Sequence, residues 1–295
     1  MPWCGFHPFP KGSGLGWRHV GVAVSGLGTV RVGGREVVHL RNTTALITGA
    51  AQGVGRDIAI LFAAKGASVA LVDTDRHGLT TVVQTIRSAG GSAVSTVGDV
   101  SEARVCQEAV AATESQFGRL QVLVNNAGIM HPEDSDAEHL TSTAWQETLK
   151  NNLTSIWLAC RAAIPAMRRA GGGSIVNMSS LAALRGSYPS QLAYTASKGG
   201  VLAMSRELAV TYATEGIRVN SICAGPLHTQ LMRHQLANEH DVSLRTDQIP
   251  IGRLGEPDEV ASVALWLAST ASSYVTGAAV EVDGGASAAF LPRRP

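Results

Sequence analysis

Tyr194 and Lys198 are the residues of this chain whose types and spacing most clearly suggest chemistry, and they lie in the stretch Tyr-Thr-Ala-Ser-Lys. They stand at the start of a predicted long helix, where residues four apart project from the same face. The phenol and the ammonium can therefore act together on one substrate atom, which suggests proton transfer. A Tyr-x-x-x-Lys match alone is a weak signal, because most such pairs are a half-buried aromatic beside a solvated cation.

A glycine-rich turn near the start of the body of the chain is typical of a dinucleotide site. A short apolar strand at 44–47 runs into a turn that contains Gly49, Gly53 and Gly55, and an amphipathic helix comes next. Such glycines let the backbone approach a pyrophosphate, whose charge then lies at the helix N-terminus. A second strand ends in Asp73, about 20 residues further on, where a carboxylate can bind the adenosine ribose hydroxyls.

Asp73 also indicates which dinucleotide binds. A 2′-phosphate beside this carboxylate would suffer like-charge repulsion, whereas a free ribose diol would gain two acceptor contacts. Gln52 in the turn supplies no cation, and Arg76 lies far enough along the chain to be an ordinary surface residue. We therefore expect the cofactor NAD rather than NADP.

Strands and helices alternate through the rest of the chain, which predicts right-handed βαβ units and an α/β fold with a doubly wound parallel sheet and helices on both faces. Asp99-Val100 and the Asn125-Asn126-Ala127-Gly128 turn stand directly after two of the strands. At the carboxyl edge of such a sheet they can line a cofactor, although Asn, Gly and Asp are also ordinary turn residues.

Residues 143–170 are predicted to form one long helix whose inward stripe includes Trp145, Asn152 and Trp157. Asn152 interrupts the apolar face, and a buried amide needs hydrogen-bond partners. The strand after this helix ends in Ser179-Ser180, and a loop at 181–193 leads to the helix that bears Tyr194.

The composition argues against several classes of function. The excess of cations lies in residues 1–41 and at 293–294, so the body of the chain is mildly acidic and gives no case for nucleic-acid binding. No apolar run reaches the ~18 residues of a membrane span. The four cysteines, Cys4, Cys106, Cys160 and Cys223, have no metal-site or disulfide spacing, so we predict no metal and interpret them as buried side chains in a reducing, cytoplasmic compartment.

The first 41 residues differ in texture from the rest of the chain. They are rich in glycine and aromatic residues, and they lack helical or strand periodicity beyond a short apolar stretch at 20–24. Their basic, acid-poor balance faintly resembles a transit peptide, and a loosely ordered extension or an upstream start codon is the simpler interpretation. We predict a poorly ordered extension at 1–41 and a single domain at 42–295.

The segment from about Thr43 to Gly285 resembles the short-chain dehydrogenase/reductase family in its compact single-domain form. The motifs are TGAAQGVG at 48–55, NNAG at 125–128, NNLTS at 151–155, NMSS at 177–180, YTASK at 194–198, NSICAG at 220–225, GRLGEPDEVA at 252–261 and YVTGAAVEVDGG at 274–285. So many ordered matches at family-like spacing make coincidence a poor explanation. The resemblance implies a Rossmann-type sheet of about seven strands and a homotetramer.

The resemblance also implies roles for individual residues. Tyr194 would be the general acid in carbonyl reduction and the general base in alcohol oxidation, with Lys198 supplying the cation that a phenol of ordinary pKa requires. Ser180 would donate a hydrogen bond to the substrate oxygen, and Asn152 would hold a water near the lysine. The implied cofactor-binding residues are Gly49, Gln52, Gly53, Val54, Gly55, Asp73, Asp99, Val100, Asn126, Ala127, Gly128, Tyr194, Lys198, Gly225, Leu227 and Thr229.

Two departures from the family pattern stand out. Ser180 lies fourteen positions before Tyr194, one more than is usual, which predicts a bulge around Gly186–Gln191 and makes Ser179 a rival for its role. Tyr188 is a weaker rival for the phenol, because no lysine comes after it at helical spacing. The usual Pro-Gly after the next strand is replaced by Ala224-Gly225-Pro226.

Residues 227–249 correspond to the family's substrate lid, and we interpret His228, His234 and His240 within it as solvated surface rather than substrate contacts. The expected function is an NAD-dependent interconversion of a small-molecule secondary alcohol and a ketone. The alternative is a catalytically weak dinucleotide-binding or regulatory protein on the same fold. The substrate itself cannot be read from the sequence, because specificity lies in the lid and the 181–193 loop.

Overall fold

The computed structural model describes residues 22–25, 29–32, 35–36, 38–229, 243 and 245–289. The chain divides into two units, Met1–Val37 and Val38–Pro295. In the first unit, strands β1 (Val22–Ser25), β2 (Thr29–Val32) and β3 (Arg35–Glu36) form an antiparallel sheet that the sequence pattern did not lead us to expect. The boundary at 41/42 and the single domain at 42–295 stay predictions.

The second unit is built on a seven-stranded sheet whose neighbouring strands all pair in parallel. Its order is β10-β9-β8-β7-β4-β5-β6, so the strand order reverses between β4 and β7. This reversal places a crevice at the carboxyl ends of these two strands. The strands are β4 (Thr44–Thr48), β5 (Ser68–Asp73), β6 (Ser92–Val97), β7 (Val122–Asn125), β8 (Gly173–Ser180), β9 (Ile217–Ala224) and β10 (Ala279–Val282).

Helices cover both faces of the sheet, and the predicted α/β fold is confirmed. The helices are α1 (Gly53–Ala64), α2 (Arg76–Ser88), α3 (Ala103–Phe117), α4 (Ser142–Leu149), α5 (Ser155–Arg169), α6 (Leu192–Tyr212) and α7 (Pro257–Ala268). One core cluster joins α1, α2 and α7 to one face, and the other joins α3, α5 and α6 to the opposite face.

The central strands are uninterrupted runs of buried residues because both of their faces are covered. Every residue of β4 and of β7 is buried. Such continuous burial is the signature of a parallel sheet between two helical layers. A large side chain such as Phe62, which is fully buried between α1 and the sheet, contributes about 1.5–3 kcal/mol to folding by this burial.

The helix predicted at 143–170 is interrupted, and the prediction of its inward stripe was partly wrong. A π-helical turn at Lys150–Thr154 separates α4 from α5. A π turn inserts an extra residue and rotates the helix beyond it. Trp157, beyond this turn, lies 49% exposed. Trp145, before the turn, lies 36% exposed because α4 buries Ala144 and Thr148 instead. Asn152 is fully buried, as predicted.

Cys106, Cys160 and Cys223 are free and buried, as predicted, whereas Cys4 lies outside the described residues. Among the described residues no helix has both the length and the apolar character needed to cross a bilayer. The same part of the chain contains no group of three or more His, Cys, Asp or Glu side chains that could hold a metal ion.

Candidate active site

The glycine turn between β4 and α1 combines tight packing with open space. An added Cβ on Gly49, whose φ is +64°, would lie 2.8 Å from the Ala127 Cα, and one on Gly55 would overlap the Gly49 carbonyl oxygen. Gly53 is different, because nothing lies within 4 Å of its hypothetical Cβ. This open space beside the N-terminus of α1 fits the pyrophosphate of a dinucleotide.

The turn after β7 is locked onto the glycine turn by hydrogen bonds. The Asn126 side chain donates to the carbonyl oxygens of Gly49, at 2.9 Å, and Thr48, at 3.2 Å. The backbone N–H groups of Asn126 and Ala127 both donate to the Thr48 hydroxyl at 3.1 Å. Thr48 is a structural residue that our prediction did not single out, although it opens the glycine motif.

A groove of about 360 Å³ runs along the carboxyl edge of the sheet and brings together most of the predicted cofactor-binding residues. Gly55 lies behind it, packed against Gly49. Thr74, Ile129 and Asn151 also line the groove and were not predicted. The predicted residues that line it are Gly49, Gln52, Gly53, Val54, Asp73, Asp99, Val100, Asn126, Ala127, Gly128 and Thr229.

Asp73 and Asp99 are the only charged side chains among the described residues that line this groove. Asp73 is oriented by two backbone donors, since its carboxylate accepts from the N–H groups of Ala51 and Asp75, each at 3.0 Å. The Asp99 carboxylate accepts from the N–H of Ser101 at 2.8 Å. Both acids are thus held in place at one end of the groove, and they make that end electronegative.

Next to the groove, Ser180, Tyr194 and Lys198 line a cavity of about 340 Å³. Burial raises the pKa of the Tyr194 phenol, and a side-chain hydrogen bond with Ser180 opposes that rise. The Ser179 hydroxyl instead donates to the Lys198 carbonyl oxygen at 3.0 Å. Ser180 is therefore the serine that pairs with the phenol, while Tyr188 lies almost wholly exposed at the rim.

Lys198 is a buried cation beside the phenol. Its Nζ lies 5.7 Å from the centre of the Tyr194 ring and donates to the Met178 carbonyl oxygen at 2.8 Å. Burial lowers the pKa of Lys198 to about 8. The side chain is thus held close to the balance between its charged and neutral forms.

The π turn points the Asn152 side chain at the backbone that leads out of the β7 turn. Its Oδ1 accepts from the N–H of Ile129 at 2.7 Å, and its Nδ2 donates to the Ile129 carbonyl oxygen at 2.9 Å and to the Ser197 hydroxyl at 3.2 Å. A Cβ on Gly128 would come within 3.1 Å of Asn152 Oδ1 and 3.5 Å of Lys198 Nζ. Asn152 thus lies behind the cavity, close to the lysine, and ties α6 to the groove.

Comparison with known proteins agrees with this geometry. The family model described as enoyl-(acyl carrier protein) reductase matches residues 49–287. A 2,5-dichloro-2,5-cyclohexadiene-1,4-diol dehydrogenase from Sphingobium indicum is 38% identical over 83% of this chain and 96% of its own length. The D-threitol dehydrogenase of Mycolicibacterium smegmatis is 38% identical over 83% and 93%. The chain belongs to the short-chain dehydrogenase/reductase family.

As a short-chain dehydrogenase/reductase, the chain is an oxidoreductase of a family that uses nicotinamide dinucleotides. The crystal structure of levodione reductase superimposes with a TM-score of 0.81 at 33% identity, over 85% of this chain and all of that one. The predicted family membership is confirmed by these matches, which span the glycine turn, the Tyr194 motif and the last strand.

The Ala224-Gly225-Pro226 turn, which replaces the usual Pro-Gly of the family, continues strand β9. Ala224 belongs to β9 and pairs with Ser180 on β8 and Val282 on β10. The N–H of Gly225 donates to the Val282 carbonyl oxygen at 3.0 Å, and an added Cβ there would lie 2.7 Å from Asp283. Gly225 and Leu227, which we predicted to bind the cofactor, line the cavity rather than the groove, whereas Thr229 lines both.

The predicted lid at 227–249 is described only in part, at residues 227–229, 243 and 245–249. His228 is half exposed and lies 2.6 Å from the Glu256 carboxylate. His234 and His240 lie outside the described residues. Arg245 and Gln248 of this segment line the cavity, together with Arg185 from the 181–193 loop, and no sequence pattern had pointed to any of the three.

Proposed function

We propose that this short-chain dehydrogenase/reductase prefers NAD and interconverts a secondary alcohol and a ketone, with Tyr194 as general acid and base. The observation that carries the proposal is the pairing of the Ser180 and Tyr194 hydroxyls in one cavity, with buried Lys198 behind the phenol. The names of the relatives support the reaction class, since they include dehydrogenases of a diol and of a sugar alcohol and a reductase of a dione.

In ketone reduction the chain's own residues would act on the carbonyl oxygen. The hydroxyls of Ser180 and Tyr194 would both donate hydrogen bonds to this oxygen and stabilise the negative charge that develops on it. The bound nicotinamide would supply the hydride to the carbonyl carbon. As the C–O π bond breaks, the Tyr194 proton would pass to the oxygen and yield the alcohol, and oxidation would reverse each step.

Lys198 would support Tyr194 in both directions. The buried phenol has a raised pKa, which suits an acid but hinders a base. A cation within 5.7 Å of the ring favours the phenolate that alcohol oxidation requires. Lys198 would also hold the nicotinamide ribose, and Asn152 would hold a water that links the lysine to solvent.

The preference for NAD rests on Asp73. Two backbone donors hold its carboxylate at the groove, where it would accept hydrogen bonds from the ribose diol. A 2′-phosphate at the same place would meet a fixed negative charge, and no cation among the described residues lines the groove to offset it.

We also propose a homotetramer in the cytoplasm, acting on a small-molecule alcohol or carbonyl compound. The exposed Trp145 on α4 and Trp157 on α5 support burial of this surface between subunits. Three buried free thiols suit a reducing compartment. Sedimentation equilibrium of the purified protein would test the tetramer, and a stable monomer at micromolar concentration would contradict it.

The function can be tested by assaying the purified protein with NADH and NADPH against a panel of secondary alcohols and ketones. We expect turnover with kcat/KM at least about tenfold higher for NADH than for NADPH. Faster turnover with NADPH would overturn the cofactor assignment alone. Cofactor binding without turnover of any compound would instead favour the alternative of a catalytically weak dinucleotide-binding protein.

A further inference from the structure

The described charged side chains of the substrate cavity are all cations. The charged side chains that line it, within the described part of the chain, are Arg185, Lys198 and Arg245. Lys198 is buried beside the phenol, whereas Arg185 is exposed and Arg245 is half-buried at the cavity wall. No Asp or Glu among the described residues lines this cavity.

Within the described part of the chain, Arg185 and Arg245 also lack ion-pair partners. Neither guanidinium has an ion pair or a side-chain hydrogen bond with another described residue. Elsewhere in the chain exposed arginines do find carboxylates, as Arg253 does with Glu259 at 2.8 Å. The two cavity arginines come from separate segments, the loop after β8 and the segment before α7, so their convergence is a product of the tertiary fold.

We infer that the substrate carries an anionic oxygen group, a carboxylate or a phosphate, which Arg185 and Arg245 bind while Ser180 and Tyr194 hold the reacting oxygen. The inference rests on the proposed function and specifies the substrate class of the same site. A guanidinium presents paired N–H donors that match the two oxygens of such a group. An anion would also relieve the repulsion between two like charges facing one cavity.

The groove for the cofactor and the cavity for the anionic substrate differ in charge. Asp73 and Asp99 make the far end of the cofactor groove negative, whereas the cavity has no carboxylate among its described residues to repel an anionic substrate. Arg185 lies five positions after Ser180, across the short helical turn Leu181–Ala183. One segment therefore supplies a contact to the reacting oxygen and a contact to the anionic group.

The test compares charged ketones with neutral counterparts of similar shape. Pyruvate, acetoacetate and levulinate place the ketone at increasing distances from the carboxylate, and their methyl esters remove the charge. Dihydroxyacetone phosphate against dihydroxyacetone forms the phosphate arm. Each pair is assayed with wild type, Arg185→Gln, Arg245→Gln and the control Arg104→Gln, which breaks only an exposed ion pair with Glu108 on α3.

We expect at least one charged ketone to exceed its neutral counterpart by about tenfold or more in kcat/KM, through KM. Either cavity variant should reduce that ratio at least about fivefold, and Arg104→Gln should leave it unchanged. A preference for the charged compound among the keto acids identifies a carboxylate, and a preference for dihydroxyacetone phosphate identifies a phosphate. Equal or better turnover of the neutral compounds would overturn this inference and leave the proposed function intact, whereas no turnover of any compound would overturn both.

A second and independent observation concerns the N-terminus of α6. Gln191 at the helix start provides no side-chain cap. The cap comes instead from Asp134, whose carboxylate accepts from the N–H groups of Ala193, at 3.0 Å, and Tyr194, at 2.8 Å. The carbonyl oxygen of Ser135 accepts from the N–H of Leu192 at 3.1 Å.

We propose that Asp134 is a positioning residue for Tyr194. A carboxylate at a helix N-terminus satisfies N–H groups that lack partners within the helix and interacts favourably with the helix dipole. One of its two donors here is the backbone of Tyr194 itself. Without this cap the first turn of α6 can fray, and the phenol loses its fixed distance from Ser180.

The experiment measures kcat, KM and the pH profile of kcat for Asp134→Ala and Asp134→Asn. The control is Asp136→Ala in the same loop, because Asp136 accepts from two backbone N–H groups in the same way, each at 3.0 Å, but holds only its own loop. We expect Asp134→Ala to lower kcat about tenfold and to move the pH profile, with the KM for cofactor little changed.

Asp134→Asn retains one acceptor oxygen and should recover part of kcat. An equal loss of kcat in Asp136→Ala would show that loop packing, not the cap, is responsible. An unchanged kcat and pH profile in a folded Asp134→Ala protein would also overturn the proposal. Thermal unfolding of each variant identifies a protein that has lost activity by losing its fold. If Asp134→Ala does not fold, the kcat of Asp134→Asn decides: a kcat between zero and that of wild type supports the proposal, and a wild-type kcat and pH profile overturn it.

Discussion

The cofactor groove and the substrate cavity lie side by side at the carboxyl edge of the sheet and share Val54, Asn126, Gly128 and Thr229 in their linings. They differ in how they are built and in their charge. The groove is formed by short turns at strand ends, with two acids at one end. Apart from Val54, Asn126, Gly128 and Met130, the cavity is formed by longer segments from the second half of the chain, and its charged residues, within the described part of the chain, are cations.

The difference shows which contacts local sequence can specify. The proposed dinucleotide contacts are backbone turns and one carboxylate, each placed by the strand that precedes it. The proposed substrate contacts are side chains such as Arg185 and Arg245, whose meeting at the cavity depends on how two distant segments pack. Single substitutions can test the two regions independently, because a substitution in the cavity should impair turnover and spare cofactor binding, and a substitution in the groove should do the reverse.

The largest expected effect is that of Tyr194→Phe, which removes the transferred proton and leaves the groove untouched. We expect kcat to fall by about 10²–10⁴-fold. The dissociation constant of the cofactor, measured by fluorescence titration, should change by less than about twofold. A variant that kept wild-type kcat would contradict the role of the phenol. A variant that lost cofactor binding would show that the groove and the cavity are not independent.

Ser180→Ala should have the next largest effect, and Ser179→Ala is its matched control. Loss of the hydroxyl that pairs with Tyr194 should lower kcat by about 10²-fold. The neighbouring hydroxyl bonds the Lys198 carbonyl oxygen, so its loss should cost about 1 kcal/mol of stability with a smaller effect on kcat. Steady-state kinetics and urea unfolding of both variants would decide, and the reverse pattern would assign the role to Ser179.

Asp73→Ala addresses the groove and should spare the cavity. Removal of the fixed carboxylate should lower the ratio of NAD to NADP in kcat/KM by about tenfold or more, because the diol loses its acceptor and the 2′-phosphate its repulsion. The KM for the ketone at saturating cofactor should stay within about twofold. An unchanged ratio of NAD to NADP in kcat/KM would mean that another residue distinguishes the ribose diol from the 2′-phosphate.

The smallest effect concerns stability in the absence of cofactor. Burial lowers the pKa of Lys198 to about 8, against 10.5 for an unperturbed lysine, so between these pH values the unfolded chain binds more protons than the fold. Stability should therefore rise with pH across this window. Below pH 8 the buried cation is a burden, and Lys198→Met should be more stable than wild type by about 1 kcal/mol, after the loss of its hydrogen bond to Met178.

That advantage should disappear as the pH approaches 10.5, because the wild-type lysine is then increasingly neutral in the unfolded chain as well and keeps its hydrogen bond in the fold. Urea unfolding of both proteins at several pH values from about 7 to about 10 provides the measurement. A stability difference that does not vary with pH would show that burial leaves the lysine unperturbed. It would also remove one difference between the two regions, since the cavity would then contain no destabilising buried charge.

Several features were predictable because they depend on local rules. The alternation of strands and helices predicted the parallel sheet, and the glycine turn with Asp73 predicted a dinucleotide groove in which most of the expected residues now lie together. Other features were missed for a physical reason. The π turn at 150–154 is invisible to a 3.6-residue period, and Trp157 beyond it is exposed although we had placed it on the inward side. Trp145 precedes this turn and is exposed because Ala144 and Thr148 form the buried face of α4.

The Tyr194–Lys198 pair could be read from sequence because four residues along a helix define one face. The choice of Ser180 over Ser179 could not, because it depends on the direction in which β8 presents each hydroxyl, one toward the phenol and the other toward the Lys198 backbone. The cap of α6 by Asp134, 60 positions before Tyr194, is a contact between segments and leaves no local signal.

The sequence by itself determined the fold class, the family, the glycine turn and the Tyr194–Lys198 pair, since each is encoded in a few consecutive residues or in a regular period. Only the tertiary structure decided the charge of the substrate cavity, the serine that faces Tyr194 and the residue that caps its helix. These depend on distant segments meeting in space, and the packing of the whole sheet and its helices, not any local pattern, fixes that meeting.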